Sequence, residues 1–180
     1  MGTVLRPAPG FDRPLALLEA CHDRIESRCT LLLRLVDHLE EQGMDDDARL
    51  AARQVLSYFD DAGVKHHQDE EQDLFPALLA VAGPEQAMLD RLIDELREDH
   101  RRMEALWGEL REPLKAIRTG AASALDRELA RRFQALYLQH IEREERDLLP
   151  VAARRLSAEQ IRCLGASMAA RRGLTLAPAR

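Results

Sequence analysis

One pattern occurs twice in this chain of 180 residues, and it constrains the fold more than any other feature of the sequence. Residues 66–76 and 140–150 carry histidine, two adjacent glutamates, aspartate, leucine and proline in the same register. Residues 22–26 and 100–104 form a second matching pair, and one of them precedes each copy of the longer pattern. Such a repeat predicts two similar helical hairpins whose histidines lie close together near a pseudo-twofold axis.

The ends of the helices can be predicted from helix-starting and helix-breaking residues. Four long segments and a shorter fifth one each carry an apolar stripe at helical spacing. We expect the first helix to begin near Asp12 and to end near Gly43. The second helix should begin at Asp45 and end before Pro76, and the third should begin after Pro84.

The second half of the chain contains similar signals. Pro113 should kink or end the third helix, and Ser123 is the expected N-cap of the fourth, which Pro150 should end. Ser157 begins a capping-box spacing that predicts a short fifth helix, and Gly173 suits the C-terminus of that helix.

The composition favours an all-α fold with one core. Aromatic residues make up only 4% of the chain, which also has few glycines and prolines, as is typical of long helices. Short connections force neighbouring helices to be antiparallel, so we predict an up-down-up-down four-helix bundle over residues 12–150. Residues 151–180 are expected to form a short additional C-terminal helix and a tail.

Charge and cysteine content bear on partners and location. The net charge of −6 comes from interleaved acidic and basic residues, so we expect no nucleic acid partner. We also expect no membrane partner, since the longest uncharged run, around 75–84, is too short to span a bilayer, and residues 1–14 have no signal-type apolar core. Cys21, Cys29 and Cys163 form no CxxC pair, which fits a reducing compartment. We therefore predict a cytoplasmic protein that is a monomer or a homodimer.

Each long helix carries one His-x-x-x-Glu spacing. Positions i and i+4 of a helix differ by roughly 40° in direction, so the two side chains can approach a common atom. In the fourth helix, Leu129 and Phe133 lie on the same side as His140, which predicts that its pair faces the core, and the other three helices agree. The four pairs are His22 and Glu26, His66 and Glu70, His100 and Glu104, and His140 and Glu144.

Carboxylates buried in one core need a compensating cation. Burying an unpaired carboxylate costs on the order of several kcal/mol, and a multiply charged metal centre would offset this cost. Imidazole and carboxylate ligands without thiolate suit iron or manganese better than a structural zinc site. Two histidines could serve each of two metals, with Glu70 and Glu144 as bridges.

Residues 66–76 and 140–150 resemble the two signature stretches of the hemerythrin family, specifically of its HHE cation-binding branch. The similarity covers about residues 12–150, and two registered copies with upstream histidines make a specific combination. The resemblance implies a four-helix bundle that holds a non-haem di-iron centre with a bridging oxygen. Carried over by position, it implies six metal ligands, which are His22, His66, Glu70, His100, His140 and Glu144.

The resemblance also implies a seventh ligand, and here the sequence departs from the oxygen carriers of the family. Those proteins use a further histidine on the third helix, where this chain has Glu104. His67 is the better candidate, because Glu70 projects between His66 and His67 and the three span only about 100° of the helix. A solvent-exposed His67 without a ligand role is the alternative.

Other polar residues near the expected ligands could support the site. Glu26 and Glu104 are expected to hydrogen-bond histidines or to balance charge rather than to ligate directly. Tyr137 could hydrogen-bond near the metals or pack at the edge of the core. Glu71 and Glu145 are expected to be surface charges paired with neighbours. The competing interpretation is a set of structural histidines and salt-bridged glutamates, which would meet at one level only by coincidence.

Three functions are compatible with such a centre. The first is binding of dioxygen or a related small molecule, such as nitric oxide or peroxide, for sensing, storage or detoxification. The second is a di-iron enzyme that reduces peroxide or oxygen, oxidises ferrous iron or delivers iron for repair, and direct ligation by Glu26 and Glu104 would favour it. The third is a metal-stabilised interaction module that uses the fifth helix as its partner surface.

Overall fold

The computed structural model describes residues 9–81 and 83–175. These residues form five helices, and no strand occurs among them, as the all-α prediction required. We number the helices α1 (Pro14–Glu41), α2 (46–79), α3 (Gln86–Thr119), α4 (127–155) and α5 (Ala158–Arg171). No helix within these ranges is both long and apolar enough to cross a membrane.

Side-chain caps determine where several helices begin. Asp45 accepts a hydrogen bond from the backbone N–H of Ala48 and caps α2, and Ser157 and Gln160 form the predicted capping box of α5. The N-cap of α4 is Asp126 rather than Ser123, so that prediction was wrong. The reason is local, because the carboxylate of Asp126 accepts bonds from two N–H groups of the first turn.

Wider π-helical turns interrupt α2 and α4. In α2 they span Tyr58–Ala62 and Glu70–Leu74, and in α4 the turn spans Glu144–Leu148. Pro76 and Pro150 do not end their helices, contrary to prediction, since each lies in the first turn of the α-helical segment after a π turn. The π turn shifts the hydrogen-bond register, and a first turn tolerates a missing N–H. Pro113 also lies inside a helix, and α3 continues past it to Thr119.

The four long helices enclose two apolar clusters. α1 and α3 each pack against both α2 and α4. The Phe59 cluster includes Ile25, Leu110 and Phe133, and the Leu18 cluster includes Phe75, Ile93 and Leu148. Along α1 and α3 the chain passes from the Leu18 cluster to the Phe59 cluster, and along α2 and α4 it passes in the opposite order. The histidines and glutamates of interest lie in a polar layer between the clusters.

The helix α5 packs against α1 and α2 through a charged contact and a close backbone approach. Asp69 of α2 is fully buried and is paired with Arg171 and Arg172. Gly165 lies against the backbone of Phe11, and a Cβ atom added to this glycine would be only 1.9 Å from the Phe11 carbonyl oxygen. α5 is thereby attached to α2 one residue away from Glu70.

Candidate metal centre

Four histidines and two glutamates meet in the polar layer and form two overlapping groups. Each long helix contributes one histidine, and α2 and α4 each contribute one glutamate as well. One group is His22, His66, Glu70 and Glu144, and the other is His100, His140 and the same two glutamates. In each group, one ligand-type atom from every residue lies within 4.8 Å of the others. Both groups therefore have the composition and size to hold a metal ion.

Glu70 presents one carboxylate oxygen to each group. Its Oε1 atom lies 3.0 Å from Nε2 of His66, while its Oε2 atom lies 3.4 Å from Nε2 of His100. His66 and His100 belong to different groups. The carboxylate of Glu70 is thus placed between the two groups, as a bridging ligand would be.

Glu144 is placed in the same way from the opposite helix. Its Oε2 atom lies 3.2 Å from Nε2 of His22, and its Oε1 atom lies 3.3 Å from Nε2 of His140. The two glutamates occupy equivalent positions of the sequence repeat, and each is the first residue of a π turn. Single π turns inside α-helices are frequent at functional sites, and two of the three π turns described here begin at the shared carboxylates.

Several polar atoms that face the middle of this layer are buried and lack hydrogen bonds. The six residues are between 1% and 4% exposed. Nε2 of His22 and of His66, Oε2 of Glu70 and both oxygens of Glu144 have no hydrogen-bond partner, although nitrogen and oxygen atoms lie within 3.0–3.4 Å of one another. Unpaired buried polar groups are costly, and a cation between them would satisfy them together. The donor set of imidazole nitrogens and carboxylate oxygens therefore fits a pair of metal ions.

The two glutamates are ionised in spite of their burial. Burial and the nearby Glu70 raise the pKa of Glu144, but the close approach of His140 and His22 outweighs these effects and lowers it to about 2. Burial likewise raises the pKa of Glu70, and His66, His100 and His22 together hold it well below its usual value. The layer consequently carries two buried negative charges at neutral pH.

The histidines respond to these charges in different ways. Burial lowers the pKa of His22, but the close carboxylates of Glu144 and Glu70 outweigh burial and raise it to about 11. Burial also opposes charging of His140, and Glu144 raises the pKa of this side chain above its usual value. In His66 the burial is dominant and lowers the pKa. In the metal-free site, the positive charge on protonated His22 thus compensates part of the negative charge of Glu70 and Glu144.

Two further glutamates accept hydrogen bonds from the outer nitrogens of the histidines. Nδ1 of His22 donates to Oε1 of Glu145 at 2.9 Å, and Nδ1 of His100 donates to Oε1 of Glu71 at 2.6 Å. Both glutamates are partly exposed, at 47% and 41%, but their prediction as surface charges missed these contacts. The signal was present in the sequence, because Glu71 and Glu145 occupy equivalent positions in the repeat.

Asp99 is a buried residue of the site that sequence reasoning missed. It is 4% exposed, and its Oδ2 atom lies 3.6 Å from Nδ1 of His140. Arg143 is paired with the same carboxylate. Asp99 directly precedes His100 in the sequence, but no periodicity indicates that its side chain reaches the histidine of a different helix.

His67 lies beside the centre and belongs to neither group of ligand-type residues. Its ring stacks on that of His100, with centroids 4.0 Å apart and planes inclined by 12°. Its Nε2 atom is buried and has no hydrogen-bond partner. Tyr137 is buried as well, and its ring packs against that of His67 at 5.8 Å.

Glu26 and Glu104 are exposed in the structure, and the described contacts include no hydrogen bond from either of them to a histidine. Glu104 lines a cavity of about 430 Å³ that opens beside the centre. His67, His100 and Tyr137 also line this cavity. A small molecule could reach the vicinity of the polar layer through it.

Comparison with known proteins agrees with this geometry. The sequence model of the family described as the hemerythrin HHE cation binding domain matches residues 13–152. An uncharacterized protein of Haemophilus influenzae is 35% identical over 162 residues, which cover 90% of this chain and 91% of that protein. The match to the family spans all six residues of the polar layer.

Proposed function

Because the chain belongs to the hemerythrin HHE cation-binding domain family, we propose that it holds two irons and binds dioxygen or a related small molecule such as nitric oxide or peroxide. The proposed ligands are His22, His66, Glu70, His100, His140 and Glu144. The biological role would be sensing, storage or detoxification of that small molecule. One observation carries the proposal: in both Glu70 and Glu144, one carboxylate oxygen lies near a histidine of one group and the other oxygen lies near a histidine of the other group.

When bound, two irons would supply the electrons and the open coordination position that a small oxidant requires. The chain's own residues have distinct tasks in this proposal. Glu70 and Glu144 neutralise positive charge and hold the two positions together, while the apolar clusters on either side limit access of water. The cavity lined by His67 and Tyr137 is the proposed route for the small molecule.

We propose His67 as a seventh ligand of the loaded protein. In the structure its ring is stacked on His100, so ligation would require this stack to open. For Glu26 and Glu104 the proposal is limited to balancing charge at the edge of the site, because both side chains are exposed. Direct metal ligation by these two residues would favour a di-iron enzyme. Because both are exposed, the binding of a small molecule is the preferred function.

The remaining features of the proposal concern the whole molecule. The order of the two apolar clusters reverses from each long helix to the next, which supports an up-down-up-down four-helix bundle. The three cysteines are free, which supports a cytoplasmic location. We propose a monomer or homodimer with the bundle in residues 12–150 and an appended C-terminal part in residues 151–180.

Anaerobic purification followed by metal analysis tests the proposal. We expect two irons per chain and a visible spectrum that changes when oxygen is admitted and returns when it is removed. Absence of iron, or an unchanged spectrum of the reduced protein, would count against it. Sustained consumption of peroxide over many turnovers, lost in His100→Ala, would instead favour a di-iron enzyme.

A further inference from the structure

The helix α5 lies outside the part of the chain that matches the family model. The match ends at residue 152, whereas α5 spans Ala158–Arg171. This helix nevertheless packs against α2, both on the segment before Glu70 and on the π turn Glu70–Leu74. An element outside the matched region therefore contacts the turn that presents one of the two shared carboxylates.

Two arginines at the C-terminal end of α5 bind residues on both sides of Glu70. Both are paired with Asp69, which directly precedes Glu70, and Nη2 of Arg172 lies 2.7 Å from its Oδ2 atom. Nη2 of Arg171 also lies 2.7 Å from Oδ2 of Asp73, inside the π turn. The guanidinium group of Arg171 consequently joins the residue before the turn to a residue within it.

The other half of the repeat holds its π turn without an additional helix. Arg143 directly precedes Glu144 and corresponds to Asp69 in the repeat. It is paired with Asp99 of α3, which is one of the four long helices around the centre. The residue of α1 that corresponds to Asp99 is Cys21, a free thiol, which offers no positive charge to Asp69. The arginines of α5 supply that charge instead.

Asp69 depends on α5 for its pairing. Its side chain is fully buried, and the hydrogen bonds described for its carboxylate come from Arg171 and Arg172. Removal of the partner of a buried charge is strongly destabilising, and a π turn is an uncommon conformation within a helix. If α5 detached, Asp69 would have to turn toward water, and the π turn that positions Glu70 would lose its support.

On the basis of the proposed two-metal centre, we infer that α5 fixes the π turn of α2 and thereby holds Glu70 between the two metal positions. Arg171 is the positioning residue of this contact, because it binds both Asp69 and Asp73. Coupling between two sites is reciprocal, so packing of α5 and occupation of the centre stabilise each other. Loss of the arginine contact should weaken metal binding, and loss of the metal should loosen α5.

Position and charge predict opposite effects for the loss of Arg171. A positive charge repels cations, so removal of this charge alone would strengthen metal binding. Loss of the support for Glu70 would weaken metal binding by roughly 5- to 150-fold, which is the usual range of such couplings. The direction of the change in affinity therefore distinguishes the two effects.

Titration of the metal-free, full-length protein with Co²⁺ tests this inference. Visible absorption reports the bound ions, and competition with a chelator gives the dissociation constant. Arg171→Gln should still bind two Co²⁺ per chain, but with a dissociation constant roughly 5- to 150-fold higher than that of the wild type. We expect this variant to fold, because Arg172 still pairs with Asp69.

Arg162→Gln is the matched control for this substitution. Arg162 is an exposed arginine of the same helix, and its described ion pair is with Glu159 of α5 itself. The dissociation constant for Co²⁺ should be unchanged in this variant. Denaturation in urea, carried out on both variants without metal, separates an effect on metal binding from an effect on the stability of the fold.

Hydrogen exchange of α5 provides a second measurement, which the wild-type protein alone can supply. Conditions are chosen in which amides of α5 exchange faster than the buried residues of α1, so that local detachment rather than global unfolding is observed. Loading with Co²⁺ should slow the exchange of α5 by roughly 5- to 150-fold. In Arg171→Gln this slowing should be smaller.

The outcomes separate this inference from the proposal on which it rests. Binding of fewer than two Co²⁺ per chain by the wild type would contradict the two-metal centre itself. If the wild type binds two ions, equal or tighter binding by Arg171→Gln overturns the role of α5 alone, even where urea shows a less stable fold. If Arg171→Gln does not fold, the wild-type exchange decides, since α5 amides that exchange equally fast with and without metal contradict the coupling.

Discussion

Glu144 divides its two carboxylate oxygens between His22 and His140, and an amide cannot do the same. The NH2 group of glutamine donates hydrogen bonds and is not a ligand for a cation. Glu144→Gln is therefore expected to lower the bound metal from two ions per chain to at most one. Metal analysis after anaerobic loading measures this.

The matched control is Glu142→Gln. Glu142 lies on the same helix, its side chain is 71% exposed, and its contact is with Arg146. This variant should bind as much metal as the wild type. Equal metal content in the two variants would show that the carboxylate of Glu144 is not a ligand.

His22 leads to a prediction about protons. Its pKa of about 11 in the metal-free protein means that the side chain is charged at pH 7, whereas a metal ligand must be neutral. Loading at pH 7 should thus release a proton from His22, but none from Glu144, which is already ionised. Calorimetric titration in two buffers of different ionisation enthalpy counts the released protons. A count of zero would contradict the assignment of His22.

The same shift has a defined sign for stability. The pKa of His22 is raised above its ordinary value of 6.5, so the charged ring stabilises the metal-free fold fully below that pH. This contribution is lost as the pH rises through about 11. The metal-free protein should accordingly become less stable on the alkaline side, where two buried carboxylates lose their cation.

At the scale of the elements, the helices α2 and α4 contain both α-helical and π-helical turns. Both have a π turn that begins at a shared glutamate, and both continue through a proline one turn later. Sequence patterns predicted that these prolines end the helices. Whether a helix ends or continues at such a proline depends on whether neighbouring elements stabilise the wider turn, and the local sequence does not contain this information.

The attachment of α5 depends on a glycine. Because a Cβ atom on Gly165 would lie 1.9 Å from the carbonyl oxygen of Phe11, Gly165→Ala should displace α5 and destabilise the protein by about 1–3 kcal/mol. Denaturation in urea measures the change in the free energy of unfolding.

Gly108 offers the matched control for this substitution. It is an exposed glycine of α3, and a Cβ atom there would have no neighbour within 4 Å. Gly108→Ala should increase stability by up to about 1 kcal/mol, since alanine is the better helix former. An unchanged stability of Gly165→Ala would mean that α5 tolerates a shift away from the segment around Phe11.

At the scale of the whole molecule, the polar layer separates two apolar clusters that would otherwise form one core. Metal binding to the folded state alone should therefore stabilise the whole molecule. At a free metal concentration 100 times the dissociation constant, the gain is about 2.7 kcal/mol. Thermal denaturation before and after chelation should show a lower midpoint for the metal-free protein, and the midpoint of Glu144→Gln should depend less on metal. Identical midpoints for loaded and metal-free wild type would contradict a metal centre in the core.

Sequence patterns were sufficient to predict the helical class, the approximate helix boundaries and the burial of the histidines at 22, 66, 100 and 140. These properties follow from the helical period of 3.6 residues per turn. The period can be recognised in each segment of the sequence independently of the other segments. The repeat also relates the two halves of the centre, and this relation is visible in the sequence alone.

Which carboxylate lies next to the outer nitrogen of which histidine depends on how the helices pack. Glu71 reaches His100, Glu145 reaches His22, and Asp99 lies near His140, in each case from a different helix. Such contacts depend on the relative rotation and height of packed helices, which are set by side-chain packing between them. Periodicity along a single helix does not contain that information.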